Sequence, residues 1–169
     1  MDLSTRETLE KAISNNPGDI DARLHLAELI REERSPEEAL EVYEGVLELD
    51  PDNPLAHLGK GLCWAMSLLA NIPTAEIWDR EIDEQEMIDN AMECLEQAAE
   101  LDPELTEAYN AMGRLFAIIA QEEDAVDMFK QSLQVDSTQL DVLEDLQELT
   151  GKPVWKILDK GTWMGEEEE

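Results

Sequence analysis

The sequence predicts an all-α array of antiparallel helix pairs, and three observations carry that prediction. Prolines that follow helices recur at a fixed interval, with Pro17 and Pro51 spaced 34 residues apart. Leu101-Asp102-Pro103 copies Leu49-Asp50-Pro51 and precedes Val135-Asp136-Ser137 by the same 34 residues. The middle interval, Pro51 to Pro103, is 52 residues, one period plus an 18-residue insertion. A fixed period of this length marks a helix-turn-helix solenoid, whose units bury their apolar faces on their neighbours.

Each element follows from its own pattern. Leu9 and Ala12 precede Pro17 at the offsets of a second helix, so residues 3–17 read as a half unit. The first full repeat, 20–53, places Ala22, Leu26, Ala27 and Ile30 on one helix and Ala39, Tyr43 and Val46 on the next, spacings that give each an apolar stripe. Between them, Ser35 is the predicted N-cap, Pro36 the first helical residue, and Glu37 and Glu38 the acids of the first turn. The second repeat, 54–105, is enlarged. Its first helix carries Ala56, His57, Gly61 and Trp64 and runs on through Leu69, and Ile72-Pro73-Thr74 marks the break. Lys60 falls on the inner side, where its methylenes can lie on apolar neighbours with the ammonium in water. After the insertion, 72–89, a partner helix from about Asp83 carries Ala91, Leu95 and Ala98. The third repeat, 106–139, reproduces the first with Ala108, Tyr109, Met112, Gly113 and Phe116, then Ala125, Phe129, Ser132 and Leu133. Leu140, Leu143, Leu146 and Leu149 mark a capping helix, 140–150, that Gly151 terminates.

The third repeat resembles the tetratricopeptide repeat, whose unit calls for small residues where Gly113 and Ala125 stand and bulky ones where Phe116 and Phe129 stand. Gly113 and Ala125 are then the pair that lets two helices cross closely. The resemblance covers residues 3–150 and implies a right-handed superhelix forming one domain, 1–150, followed by a tail, 151–169. It also implies a concave groove lined by the first helix of each unit. The groove residues are then Asp21, Leu24, Glu28 and Arg31 in the first repeat, Leu55, Leu58, Leu62 and Met66 in the second, Glu107, Asn110 and Arg114 in the third, and Glu144 on the capping helix. Some members clamp a chaperone's terminal carboxylate with Lys and Asn. This chain has Leu24, Glu28, Leu58, Leu62 and Ala111 at those places, so the clamp is absent.

Composition narrows the partners. The chain carries 42 acidic and 12 basic side chains, a net charge of −30. Such a field repels phosphate backbones and anionic lipid surfaces, which sets nucleic acid and membranes aside and favours a basic or amphipathic protein segment. The same acidity also serves solubility or a high-salt habitat. From Glu81 to Phe129 the only basic residue is Arg114. Cys63 and Cys94 lack any metal-ligand or CxxC spacing and read as small core residues in a reducing, cytoplasmic setting. No basic n-region precedes an apolar stretch at the N-terminus, and no apolar run is long enough to span a bilayer.

Catalytic constellations are thin. His25 and His57 are the only imidazoles, and neither lies in a triad, Cys/His or HExxH context. Gly59-Lys60-Gly61 is an isolated triplet, not a phosphate loop, and no calcium-loop pattern occurs. No enzyme activity, cofactor or metal is therefore expected.

The expected function is protein binding, as an adaptor or holding chaperone. The alternatives are a self-assembling scaffold or a secretion-type chaperone, although the insertion is foreign to the latter pattern. The tail holds Trp155, Ile157, Leu158 and Trp163, more apolar surface than a free linker exposes. It is expected to dock on its own array, or else in the groove of a neighbouring copy or on a partner. Leu55, Leu58, Leu62 and Met66 can equally be core beneath the insertion or the tail, with Trp78 and Trp155 as covers.

Overall fold

In a computed structural model, residues 3–33, 35–70, 84–153 and 156–157 are described. They form eight helices and no strand. The described chain divides into two compact units, Met1–Asp102 and Pro103–Glu169.

The first unit holds α1 (Leu3–Asn15), α2 (Ile20–Glu32), α3 (Pro36–Leu47), α4 (Pro54–Ala70) and α5 (Glu84–Leu101), each packed on the next in order. Every residue expected on the inner faces of α2 and α3 is buried. The small residues set the spacing between helices. A Cβ on Gly61 would come within 2.7 Å of Leu95 on α5, and one on Gly59 within 2.1 Å of the Tyr43 ring on α3. Both glycines of the Gly59-Lys60-Gly61 triplet are thus contact points, one for each neighbouring helix. Between them, Lys60 does not leave its ammonium to water alone but pairs with Glu44 at 3.3 Å. Arg6 pairs with Glu10 within α1 and ties that helix to its neighbours through Glu33 and Glu38.

The turns repeat as the helices do. Asp19 Oδ1 accepts from the Ala22 N–H, and Asn53 Oδ1 from the Ala56 N–H, each at 3.0 Å. Arg23 donates to the Pro17 carbonyl, and His57 Nε2 lies 2.9 Å from the Pro51 carbonyl. The N-cap expected at Ser35 differs in kind. Its side chain makes no capping hydrogen bond, and its carbonyl accepts from Ala39 while Pro36 occupies the first turn. Cys94 also departs from expectation, being half-buried where Cys63 is fully buried.

The second unit holds α6 (Thr106–Ile118), α7 (Glu122–Val135) and α8 (Leu140–Thr150). Ala125, Phe129 and Leu133 of α7 meet Val142 and Leu146 of α8 in one core cluster. A Cβ on Gly113 would stand 2.7 Å from Phe129, so the glycine lets α6 approach that ring. Of the expected leucines on α8, Leu146 is fully buried beside Val142, and Leu143 and Leu149 pack against the same cluster, whereas Leu140 is 73% exposed. Gly151, at φ 62°, ends α8 in the left-handed region. Gln139 joins α7 to α8, donating to Ser132 Oγ at 2.9 Å and accepting from Asn110 at 2.7 Å.

Candidate functional site

In the first unit, α2, α3 and α4 enclose a concavity of about 220 Å³. Asp21, Leu24, Glu28 and Arg31 reach it from α2, spaced so that they share one helical stripe. Leu55, Leu58 and Leu62 reach it from α4 by the same rule, and Tyr43 enters from α3 beside Gly59. Seven of the groove residues expected from the sequence therefore meet in one hollow. Within it Leu58 is buried as floor, while Leu55 stands 48% exposed at the rim. Met66, one turn beyond Leu62, is half-buried and outside the hollow.

The polar groups differ in how well they are satisfied. Arg31 lies 3.9 Å from Glu28, and its Nε is buried with no hydrogen bond inside the protein. Burial pushes the Tyr43 hydroxyl up from its ordinary value, and a hydrogen bond with Arg31 works against that rise. His25 shares the rim with Asp21. Sequence reasoning missed Tyr43 and Gly59 as site residues. Gly59 lies one residue past Leu58, and its lack of a side chain admits the tyrosine ring.

The second unit uses its predicted residues differently. Asn110 is buried, and its amide donates to Gln139 rather than facing an open surface. Arg114 donates to Asp141 at 2.9 Å and Asp145 at 2.8 Å on α8. Glu107 and Glu144 are both exposed, and neither lines a hollow with the other groove residues expected from the sequence. Arg114 also borders a shallow, largely apolar hollow with Ala117, Ile118 and Leu149. Of the tail, Ile157 packs against the α7–α8 core cluster, while Trp155, Leu158 and Trp163, like Trp78 of the insertion, lie outside the described residues.

Among the described residues, no group of three or more His, Cys, Asp or Glu side chains is placed to hold a metal ion. No described helix is long and apolar enough to cross a membrane. Burial pushes the Cys63 thiol up to about 12 and raises that of Cys94 as well, which suppresses nucleophilic thiolate at either position.

The comparisons with known proteins agree with this architecture. Tetratricopeptide-repeat profiles match residues 4–57 and residues 83–105. The α6–α7 pair lies beyond both matches. Its repeat character rests on helix register, since α6 precedes α8 by the same interval that separates α2 from α4. Among solved structures, MamA is similar at 13% identity and TM-score 0.64, over 85% of this chain and 74% of that one. A thermophilic tetratricopeptide-repeat protein of Thermus thermophilus is similar at 19% identity and TM-score 0.70, over 85% of this chain and 70% of its own. The first such domain of Spaghetti (RPAP3), bound to the HSP90 peptide SRMEEVD, is similar at 14% identity and TM-score 0.61, covering 78% of this chain and 90% of that domain. No curated protein matches the sequence significantly. The periodic turns, the close-packed helix pairs and the profile matches converge: the chain carries tetratricopeptide repeats, matched at residues 4–57 and 83–105, in an all-α helical-repeat fold, and this repeat generally builds non-enzymatic protein-interaction modules.

Proposed function

We propose that this chain is a non-enzymatic adaptor or holding chaperone of the cytoplasm, and that the hollow of its first unit receives a basic or amphipathic protein segment. One observation carries the reading: the apolar side chains of Leu24, Leu58 and Leu62 line the same hollow as the carboxylates of Asp21 and Glu28. An apolar anchor seated on those leucines gains about 25 cal/mol per Å² removed from water. Lysines or arginines flanking it would meet the two acids, and the net charge of −30 would speed their approach. Arg31 adds orientation, because a backbone carbonyl of the bound segment would satisfy its buried Nε.

The peptide-bound relative supports a peptide as the ligand class. Its peptide, SRMEEVD, ends in acidic residues, opposite in charge to the partner proposed here. Selection from a random peptide library displayed on phage tests the proposal directly. Recovered sequences should combine aliphatic or aromatic anchors with Lys or Arg, bind more weakly as salt rises, and lose affinity for Leu55→Glu and Glu28→Lys. Both substitutions are at exposed positions, so folding should be retained. Peptides that bind these variants as well as the parent chain would place the binding surface elsewhere.

A further inference from the structure

We infer that α1 is a displaceable helix, and that the seat it leaves against α2 and α3 receives a basic amphipathic helix of a partner protein. No side chain of α1 from Thr5 to Asn15 is fully buried, whereas every later helix buries at least two. Its half-buried residues are Arg6, Leu9, Ala12 and Ile13, which share one stripe at helical spacing. So shallow a stripe makes the opening of α1 the least costly local opening in its unit.

Beyond that stripe the clasp is electrostatic. The Arg6 guanidinium pairs with Glu33 at 3.3 Å and with Glu38 on α3, and all three side chains are partly exposed, so salt screens the attraction. Release of α1 leaves the start of α2 intact. Asp19 Oδ1 caps α2 through the Ala22 N–H, and Arg23 donates to the Pro17 carbonyl, contacts that all lie after α1. Pro17 and Gly18, both exposed, form the connection on which α1 swings.

The helix α1 itself displays the chemistry its seat accepts: an apolar stripe that follows a guanidinium facing two carboxylates. It is not the best ligand for that seat. Glu7 and Glu10 balance Arg6 and Lys11, so α1 is neutral as a whole, and Glu10 draws on the same guanidinium at 3.0 Å. A helix with this stripe and with lysines in place of those two glutamates leaves its arginine to Glu33 and Glu38 and is attracted by a chain of net charge −30. A second copy of this chain has no such advantage, since it delivers a neutral helix together with another −30. The occupant is therefore a partner's basic helix. Arg6, Leu9, Glu33 and Glu38 are all distinct from the residues that line the hollow of α2, α3 and α4.

Two measurements on the full chain test the inference. In hydrogen exchange read by mass spectrometry, the amides of residues 5–15 should exchange about tenfold or more faster than those of α3. Raised salt, Arg6→Gln and Leu9→Ser should each speed them further while α3 and α4 stay unchanged. Amides of α1 as protected as those of α3 overturn the inference. Binding is read with a fluorescein-labelled synthetic peptide of residues 3–15 carrying Glu7→Lys and Glu10→Lys. Arg6→Gln should bind it about tenfold more tightly than the parent chain, lose that gain when Glu38→Gln is added, and keep it when Leu55→Glu is added. Equal affinity for the parent chain and Arg6→Gln overturns the inference, and so does loss of binding with Leu55→Glu, which would put the peptide in the hollow of α2, α3 and α4. A dimer mass by light scattering that disappears in Arg6→Gln overturns it in favour of exchange of α1 between copies.

Discussion

Replacing Gly59 by alanine sets two opposing effects against each other at the candidate site. The new Cβ would stand 2.1 Å from Tyr43 Cζ, 2.3 Å from Cε1 and 2.6 Å from Cε2. Carbon atoms in contact prefer about 3.5–4.0 Å, so the ring must retreat by roughly 1.5 Å. Tyr43 is 4% exposed, held between α3 and α4. Overpacking of this kind costs about 1–3 kcal/mol. Alanine in a helix interior recovers about 0.5–1 kcal/mol of that through its higher propensity. With three ring atoms inside contact distance, the clash outweighs the recovery, and a net loss of about 1–2 kcal/mol is expected. Urea unfolding followed by helical circular dichroism should show the midpoint falling by about 0.5–1 M. Gly45→Ala is the internal control. Its Cβ meets only the tip of Arg23, at 3.2 Å, so the helix gain should prevail and the midpoint should rise. Because Tyr43 also lines the hollow, Gly59→Ala should weaken peptide binding as well. A Gly59→Ala protein as stable as its parent would refute the reasoning, since it would mean the α3–α4 contact has slack.

Three further outcomes rest on single sites. Cys63, with its thiol held near 12, should be alkylated by iodoacetamide at pH 8 at least about a hundredfold more slowly in the folded protein than in urea; equal rates by peptide mass mapping would contradict its burial. Ala120, at φ 60° between α6 and α7, is an L-residue in the left-handed region, so Ala120→Gly should raise the unfolding midpoint by relieving about 1 kcal/mol of strain; an unchanged or lower midpoint counts against that strain. The Arg114 hydrogen bond lowers the Asp141 pKa in the folded state. Its contribution is therefore complete above the unfolded carboxylate value of about 3.9 and is lost as pH falls through the lower folded value. Both side chains are half exposed or more, so the effect stays below about 1 kcal/mol. Acid titrations should show Arg114→Met losing less stability than the parent chain over that window, and parallel curves would remove the claim.

The fold was legible because repeat proteins write long-range packing as short-range spacing. The small residues Gly61 and Gly113 sit opposite the large residues Leu95 and Phe129, and each such pair lies within one repeat. The sequence pattern therefore records the contact itself. Helix ends were legible for the same reason, since a proline or an αL glycine acts locally. Expectations failed where the decision is not local. Ser35 has the right identity for a side-chain cap, yet its hydroxyl makes no capping hydrogen bond, and α3 opens on Pro36, whose fixed φ already suits the first helical position. On α8, Leu140 belongs to the leucine pattern that marks the helix yet stands exposed, because the contact with α7 centres on the i, i+4 pair Val142 and Leu146.

The candidate site was legible in its lining but not in its depth, and the reason bears on how such a surface acquires specificity. Positions on one stripe of α2 and one of α4 follow from helical periodicity alone. How far the leucines sink, and which polar group is left unsatisfied between them, depends on what the third helix inserts. Here α3 inserts Tyr43, admitted by the bare backbone of Gly59, and the ring hydroxyl takes a hydrogen bond from Arg31 while Arg31 Nε stays unpaired. The stripes thus supply apolar area and acidic rims, features that many segments can match. The tyrosine and arginine supply an oriented donor in a buried place, and an unmatched buried donor costs about 1–3 kcal/mol. Discrimination among basic amphipathic segments should accordingly reside in Arg31 more than in the leucines. Arg31→Leu, which keeps the apolar floor and removes the donor, should broaden the peptides selected while leaving the tightest anchors in place. Selection that is narrowed, or unchanged, by that substitution would show that the leucine stripes set the preference instead.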